Sequence, residues 1–427
     1  MPDAFPAAAA LPATPPQAQA FPIDAVRAAF PAVMRAEPLV LFDNAAGAQV
    51  PKPVFEAVNA HLLERNVQRG GRYAMSQEVD AMVAAARVRV AAFLNATDPD
   101  EVCFGMNATS FIRLISLALG QTLAGSPRRR IVLTEIDHEA NIAAWLALEA
   151  QGAEIVWWRL REDGRLHLED LAPLLDARTR LVACAAASNA LGSVTDLAGV
   201  ARLAHAVGAE LFVDAVHYAP HAVVDVQAWD CDYLVCSGYK IFGPHMGFLW
   251  GRRAALEALP TFREDFIPDT PPFKVEAGTF IYENVAGMAA ALDYLADLGT
   301  RISPGAADPL RAAMEAIAAY ERGLSMRMLD ALTSVEARVF GVTDPGELDA
   351  RLPTFGFTLP WAEPARFVEA MATAGFALRD GHMYAPRLIA RLGLAFEAGL
   401  IRASLCHYNS PDEIDRFAEV LRRMHRG

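Results

Sequence analysis

An α/β architecture, with a mainly parallel sheet in a large domain and a smaller α+β domain beside it, follows from three observations in this 427-residue sequence. From about residue 101 onward, short β-rich runs alternate with amphipathic helical stretches, the pattern of βαβ units. Several helical stretches close at a glycine, the residue that ends a helix in the left-handed conformation at least cost. Beyond Glu283 the alternation gives way to long helices and then to shorter strands and helices, as a second, mixed unit requires.

Taken in order, residues 1–20 are rich in proline and alanine and lack the basic start and apolar core of a secretion signal, so they read as a flexible leader. The stretch Ser76 to Asn95 has a helical pattern. Seven runs then read as strands of one sheet: EVCFG, RIVLTEI, EIVWWRL, RLVACAAAS, ELFVDAV, DYLVCS and GFLWG. Between them EANIAAWLALEAQG and DLAGVARLAHAVGA read as helices. A helix from Glu283 through Leu298 is followed by a break at SPG and a long helix from Pro309 to Leu332. The strand LPTFGFTL and the helix PARFVEAMATAGF come next. The expected division is a leader of residues 1–20, a large domain of 36–299, and a small domain of 20–35 together with 300–427.

With 53% hydrophobic residues the chain fills a large core and a second one. A net charge of -13 argues against nucleic acid, which needs a basic face, and points to small-molecule partners. No apolar run reaches the roughly 20 residues of a membrane span, so no membrane association and a cytoplasmic location are expected. The five cysteines are odd in number and show no C-x-x-C spacing, and the ten histidines are scattered, so reduced core thiols and no metal site are expected.

Almost all of the 38 basic residues are arginine; Lys52, Lys240 and Lys274 are the lysines. Lys240 lies in CSGYKIFGPHMG, directly after the strand DYLVC. Arginine keeps its proton, whereas a desolvated lysine loses it and attacks carbonyl groups.

In an open α/β sheet, ligands bind outside the carboxyl ends of the strands. Those ends are unusually polar here. After EVCFG, the segment Asn107-Ala108-Thr109-Ser110 opens a helix, which offers backbone N–H groups and a hydroxyl to a phosphate, or places Thr109 or Ser110 as a cap. Asp137, His138 and Asn141 follow RIVLTEI, Ser188 and Asn189 follow RLVACAAA, and ELFV is followed by Asp214, with His217 three residues on. Each has a structural alternative as a cap or a hydrogen-bonded core group. Asp214 is the hardest to treat so, because a carboxylate at the end of an apolar strand needs a cation or donors to remain charged. Together these groups ask for one ligand with a phosphate, a protonated ring nitrogen and an aldehyde: pyridoxal 5'-phosphate. Lys240 would join the aldehyde, Asp214 would pair with the ring nitrogen, and the Thr109 helix start would take the phosphate. A nicotinamide cofactor explains less, since no strand leads into G-x-G-x-x-G.

At this point the chain resembles the class V aminotransferase family of fold type I pyridoxal-phosphate enzymes, and within it the cysteine-desulfurase-like group, from about Leu41 to Pro411. The carrying motifs are LFDNAAGAQVP, TEIDHEAN, SNALG, VDAVHYAPH, DCDYLVCSGYKIFGP, FKVEAGT and IRASLCHYN, with SGYK standing where the family has S-G-H-K. The resemblance implies that Lys240 carries the cofactor and that His138 stacks on its ring. It implies that Asn189 and His217 hydrogen-bond the ring hydroxyl or the substrate, although the family more often has glutamine at the His217 position. Ser237 and Tyr239, the latter at a position where histidine is common, would join Ala108 and Thr109 at the phosphate. Thr279 would reach the phosphate of a neighbouring subunit, which implies a homodimer with shared sites. Arg402 would grip the carboxylate of an amino-acid substrate with help from Arg379, and Asn44 would lie near the substrate.

One departure governs the reaction. Desulfurases of this group carry a sulfur-accepting cysteine after the R-x-G-H arginine; here the stretch is RDGHMYAP, and Tyr384 stands in its place. A phenol cannot carry sulfane sulfur. Cys406 lies in an apparent strand and not on that loop. What remains is proton removal from Cα by the freed Lys240, with the cofactor ring taking up the charge. β-Elimination by a lyase or transamination of a small amino acid is the expected outcome. Cysteine desulfurase or selenocysteine lyase-like activity and epimerisation are the alternatives. A non-enzymatic cofactor-binding scaffold is disfavoured by the joint presence of Lys240, Asp214, His138 and Arg402.

Overall fold

Alternating side chains along the strands build the centre of the molecule, whose computed structural model describes residues 21–426. The leader expected over residues 1–20 lies outside the described residues. A short strand, β1 (Val40–Leu41), precedes the seven of the main sheet: β2 (Val102–Gly105), β3 (Arg130–Thr134), β4 (Glu154–Trp158), β5 (Thr179–Ala185), β6 (Glu210–Asp214), β7 (Tyr233–Ser237) and β8 (Gly247–Gly251). Their spatial order is β2-β8-β7-β6-β5-β3-β4. Only β8 runs against its neighbours β2 and β7; β3 to β7 pair in parallel. This is the expected mainly parallel sheet, and each of the seven predicted runs supplies one strand.

Both faces of such a sheet are buried, so its strands are apolar on both sides. Leu211 and Val213 of β6 and Leu234 and Cys236 of β7 enter one core, while Phe212, Tyr233 and Val235 enter the other. Helices Ala74–Phe93, Leu197–Ala206 and Tyr282–Ile302 cover the first face, and Ala108–Gly120 and Ala140–Leu146 the second. The stretch expected as one helix over residues 139–152 is an α-helix only to Leu146 and then tightens to a 3-10 turn over Ala147–Gln151, which ends at Gly152 with φ of +94°.

The smaller unit adds β9 (Arg338–Val339), β10 (Thr354–Thr358), β11 (Phe376–Ala377), β12 (Arg379–Gly381) and β13 (Leu400–Ser404). An antiparallel sheet has the order β12-β13-β10-β9, and β1 pairs with β11. The helix Pro309–Thr333, capped by the Asp308 side chain, spans both units: Met314 and Ile317 lie in the large core, Leu324, Met328 and Leu332 in the small one.

Two short segments pack across the expected division. In the segment 20–35, Val26, Phe30 and Val33 are buried with the side chains of the large sheet, while Arg27 pairs with Glu413 and Phe21 stacks on Tyr320, so the segment touches both units. Residues 40–42 were assigned to the large unit, but Val40 and Phe42 pack in the small core through the β1–β11 pair. Both segments are short, and apolar side chains over so few residues do not say which distant core will take them.

Candidate active site

The carboxyl ends of β3, β5, β6 and β7 converge beside the start of the helix Ala108–Gly120. Ala108, Thr109, His138, Asn189, Asp214, His217, Ser237, Tyr239 and Lys240 line one pocket there. The sheet order turns back between β3 and β5, which makes that gap the natural crevice of the fold.

The helix start is shaped by three residues. Asn107 is its cap, accepting from Ser110 N at 2.9 Å, so neither Thr109 nor Ser110 serves in that capacity. Ala108 N–H donates to Ser237 Oγ at 3.1 Å, which joins the end of β7 to the helix start. Gly247 permits this approach, for a Cβ there would stand 2.5 Å from the carbonyl carbon of Asn107. Backbone donors, the Thr109 hydroxyl and the Ser237 hydroxyl thus share one corner, suited to an anion at a helix N-terminus.

Lys240 ends a 3-10 turn, Gly238–Lys240, directly after β7, and is 7% exposed. Burial, reinforced by the Arg402 charge and opposed by Asp214 and Asp43, lowers its amine to about 8. Asp214 is the last residue of β6; one carboxylate oxygen accepts from Val216 N at 2.9 Å, and burial raises its pKa against the pull of that N–H and of Lys240. His138 accepts from Ala140 N through Nδ1 at 3.1 Å, and burial with the nearby Lys240 and Arg402 charges lowers its pKa to about 4. It is therefore a neutral ring at physiological pH. Asp137, for which a helix cap was one alternative, lies buried beneath, taking a hydrogen bond from Thr134 Oγ1 at 2.6 Å.

Two polar atoms in the pocket wall are buried without a partner: Asn189 Oδ1 and His217 Nδ1. Their other atoms are committed, Asn189 Nδ2 to the Met383 carbonyl at 2.8 Å and His217 Nε2 to Thr354 Oγ1 at 3.0 Å. Orphaned buried groups of this kind call for a ligand with polar edges. The donor set fits pyridoxal phosphate: an anion corner at Ala108, Thr109 and Ser237, an amine at Lys240, a carboxylate at Asp214, and a neutral ring at His138.

Beyond the pocket lies a charge cluster that includes a residue the sequence reading passed over. Asp43 accepts from Arg402 Nη2 at 2.9 Å and, in a fork, from Arg379 at 2.7 to 3.1 Å. Arg402 also donates to the Asn189 carbonyl at 3.0 Å, and its Nε is buried without a partner. Burial presses Arg402 below its usual pKa, yet guanidinium keeps its proton in proteins. The neighbouring Asp43 raises that of Arg379. The signal for Asp43 was its place in LFDNAAG, one residue before Asn44.

Asn44 itself is not free for a substrate. Its amide donates to the Leu41 and Ser404 carbonyls and to Asn409 Oδ1, and its oxygen accepts from the Tyr408 hydroxyl. It ties the N-terminal turn to the loop after β13. Thr279 lies on the surface, its hydroxyl on Gln68 Oε1 at 3.2 Å, away from the pocket of its own chain. Also unforeseen are Ala140, Ala185 and Ala187 in the pocket wall, small side chains that leave room for a flat ligand. All five cysteines are buried, and none lines the pocket. Burial raises each thiol well above its ordinary pKa, so none is a ready nucleophile.

The Aminotransferase class-V family model matches residues 40–417. A cysteine desulfurase of Dickeya dadantii is 34% identical over 95% of this chain and 97% of its own length. An aminotransferase-like protein of Gibberella zeae is 33% identical over 94% of this chain and 98% of its own length. Among solved structures, an apo cysteine desulfurase from Thermococcus onnurineus superimposes with a TM-score of 0.85 at 26% identity, covering 96% of this chain and 99% of that one. The cysteine desulfurase CsdA of Escherichia coli gives 0.81 at 29% identity over 95% and 98% of the two chains. No described helix is long and apolar enough to cross a membrane.

Proposed function

Since the chain belongs to the class V aminotransferase family and is a pyridoxal-phosphate-dependent enzyme acting on an amino acid, we propose that it carries out elimination or amino transfer on a small one. When bound, the cofactor supplies an aldehyde for the substrate amine and a ring that takes up electrons released at Cα. The chain's own residues do the rest. Lys240, with its amine lowered to about 8, holds an appreciable neutral fraction near physiological pH. Through that lone pair Lys240 would hold the cofactor, and the same amine would be the base for the substrate's Cα proton.

Asp214, held by Val216 N–H, offers its carboxylate to a protonated ring nitrogen. His138, neutral, offers a flat face for stacking. Ala108, Thr109 and Ser237 receive the phosphate. Arg402 grips the substrate carboxylate, oriented by Asp43 and by the Asn189 carbonyl, with Arg379 alongside. A homodimer in the cytoplasm completes the reading: Thr279, exposed on one chain, would serve the partner's phosphate.

The carrying observation is the gathering of Lys240, Asp214, His138 and the Ala108 helix start in one pocket, with the amine free of any salt bridge among the described residues. Transfer of sulfur through a protein thiol is the second reading, favoured by the named activity of the relatives. It is opposed by Tyr384 and by the burial of every cysteine. The test is a screen of amino acids against the holoenzyme, scoring keto acid, pyruvate, sulfide and loss of optical activity together. Keto acid or pyruvate with no sulfide supports the proposal; sulfide from cysteine that disappears on alkylation selects the second reading.

A further inference from the structure

The segment carrying Tyr384 departs from ordinary loop geometry. Met383 and Tyr384 take φ of +50° and +56°, the left-handed region that costs a side-chain-bearing residue roughly 1–2 kcal/mol. Two such residues in succession persist only where the surroundings over-determine them. Here four hydrogen bonds do so. His382 Nδ1 accepts from Tyr384 N at 3.0 Å and the His382 carbonyl from Ala385 N at 2.8 Å. Asn189 Nδ2 donates to the Met383 carbonyl and Glu139 N to the Tyr384 carbonyl, each at 2.8 Å. The Met383 side chain, 2% exposed, shares a core with Ile136, Leu191 and Leu388. Arg387 grips the Glu139 carboxylate at 2.7 and 2.8 Å. The turn is thus clamped to the two strand ends that carry His138 and Asn189.

With the backbone fixed, the Tyr384 side chain stands 56% exposed beside His138 of the pocket wall, ring centres 5.6 Å apart at an angle of 38°. Arg379, Arg402 and Tyr239 lie within electrostatic reach of this side chain. A charge count then limits what the substrate brings. Arg379 and Arg402 carry two positive charges and Asp43 one negative, so a single α-carboxylate balances the cluster. A cationic side chain on the substrate would meet two guanidinium groups.

We propose that Tyr384 is a specificity-determining residue: a rigid wall at the mouth of the site that restricts the substrate to a small, neutral side chain and gives its hydroxyl to a polar atom there, as on serine. The proposal rests on the amino-acid reading above, and the test separates the two. L-Serine, L-alanine, L-leucine and L-aspartate are titrated into holoenzyme, with apparent Kd read from the cofactor's visible band, in the unmodified protein, Tyr384→Phe and Tyr384→Ala. Serine should bind the unmodified protein most tightly. Tyr384→Phe should weaken serine about tenfold, the worth of one neutral hydrogen bond, and leave alanine unchanged. Tyr384→Ala should tighten leucine by about tenfold, with thermal unfolding confirming that both variants are folded. Unchanged affinities and ranking in both variants, while the unmodified protein responds to amino acids, overturn the role of Tyr384 alone. A holoenzyme whose band no amino acid shifts overturns the functional reading and this proposal with it.

Discussion

Two lysines are buried in this molecule, and their surroundings differ in kind. Lys274 is 5% exposed, but its ammonium donates to the Glu257 carbonyl at 2.9 Å and pairs with Asp269 at 3.0 Å. Lys240 is 7% exposed, and among the described residues its amine makes neither a hydrogen bond nor an ion pair. Its surroundings are the Tyr239 ring at 5.9 Å, the Arg402 charge that opposes its proton, and Asp214 and Asp43 that favour it. Burial with partners makes a lysine part of the scaffold; burial without them leaves a lone pair available for chemistry. Lys52, exposed beside Glu56 at 3.3 Å, completes the series as a solvated ion pair.

The contrast is broken most directly by removing each amine. Lys240→Met should lower kcat/KM at least a thousandfold, roughly the loss seen when a covalent catalyst is deleted. Lys274→Met should stay within about threefold once folded, since its contacts lie outside the site. Equal losses in the two variants would erase the distinction. The next effect concerns the partner of the reactive amine. Asp214→Asn keeps the shape but removes the charge offered to the ring nitrogen, and kcat should fall by about 10²–10³, as for loss of one preorganised electrostatic group.

Stability sharpens the comparison further, with opposite signs. The Lys240 amine sits at about 8 in the folded chain against 10.5 for an ordinary lysine, so between these values the unfolded chain holds more protons. Stability of the cofactor-free protein therefore rises with pH through that window, by at most about 1.4 kcal/mol per unit, and the penalty is present in full below pH 8. Lys240→Met should accordingly raise the unfolding midpoint in urea at pH 7 and flatten this pH dependence. Lys274→Met should lower the midpoint, a loss of about 1–3 kcal/mol in stability, because the Glu257 carbonyl loses its donor; the exposed Asp269 adds little. Smallest is Lys52→Ala, expected within about 0.5 kcal/mol of the parent.

Rarity alone pointed at all three lysines equally. Position separated them: Lys240 follows a strand at its carboxyl end, where the fold puts ligands, and the same logic located His138, Asn189 and Asp214. The seven strands were legible because each combines a short apolar run with a turn signal, and burial on both faces leaves little room for another reading. Asp43 was not legible, because its role depends on Arg379 and Arg402, more than 300 residues away, meeting at one carboxylate. The partners of Asn44 were hidden for the same reason: they are Leu41, Ser404 at the end of β13, and Tyr408 and Asn409 after it, which only the folded chain brings together. The packing of residues 20–35 against both units and of residues 40–42 in the small core is likewise tertiary, set by Phe30 meeting Phe242 and Tyr408 and by β1 finding β11.

The central claim, that one unpaired buried amine carries the cofactor, is tested by loading the purified protein with pyridoxal phosphate, reducing it with borohydride and mapping the modified peptide by mass spectrometry. The account predicts a stable adduct on Lys240 and none in Lys240→Met. An adduct on Lys274 or Lys52, or one that survives in Lys240→Met, would contradict it.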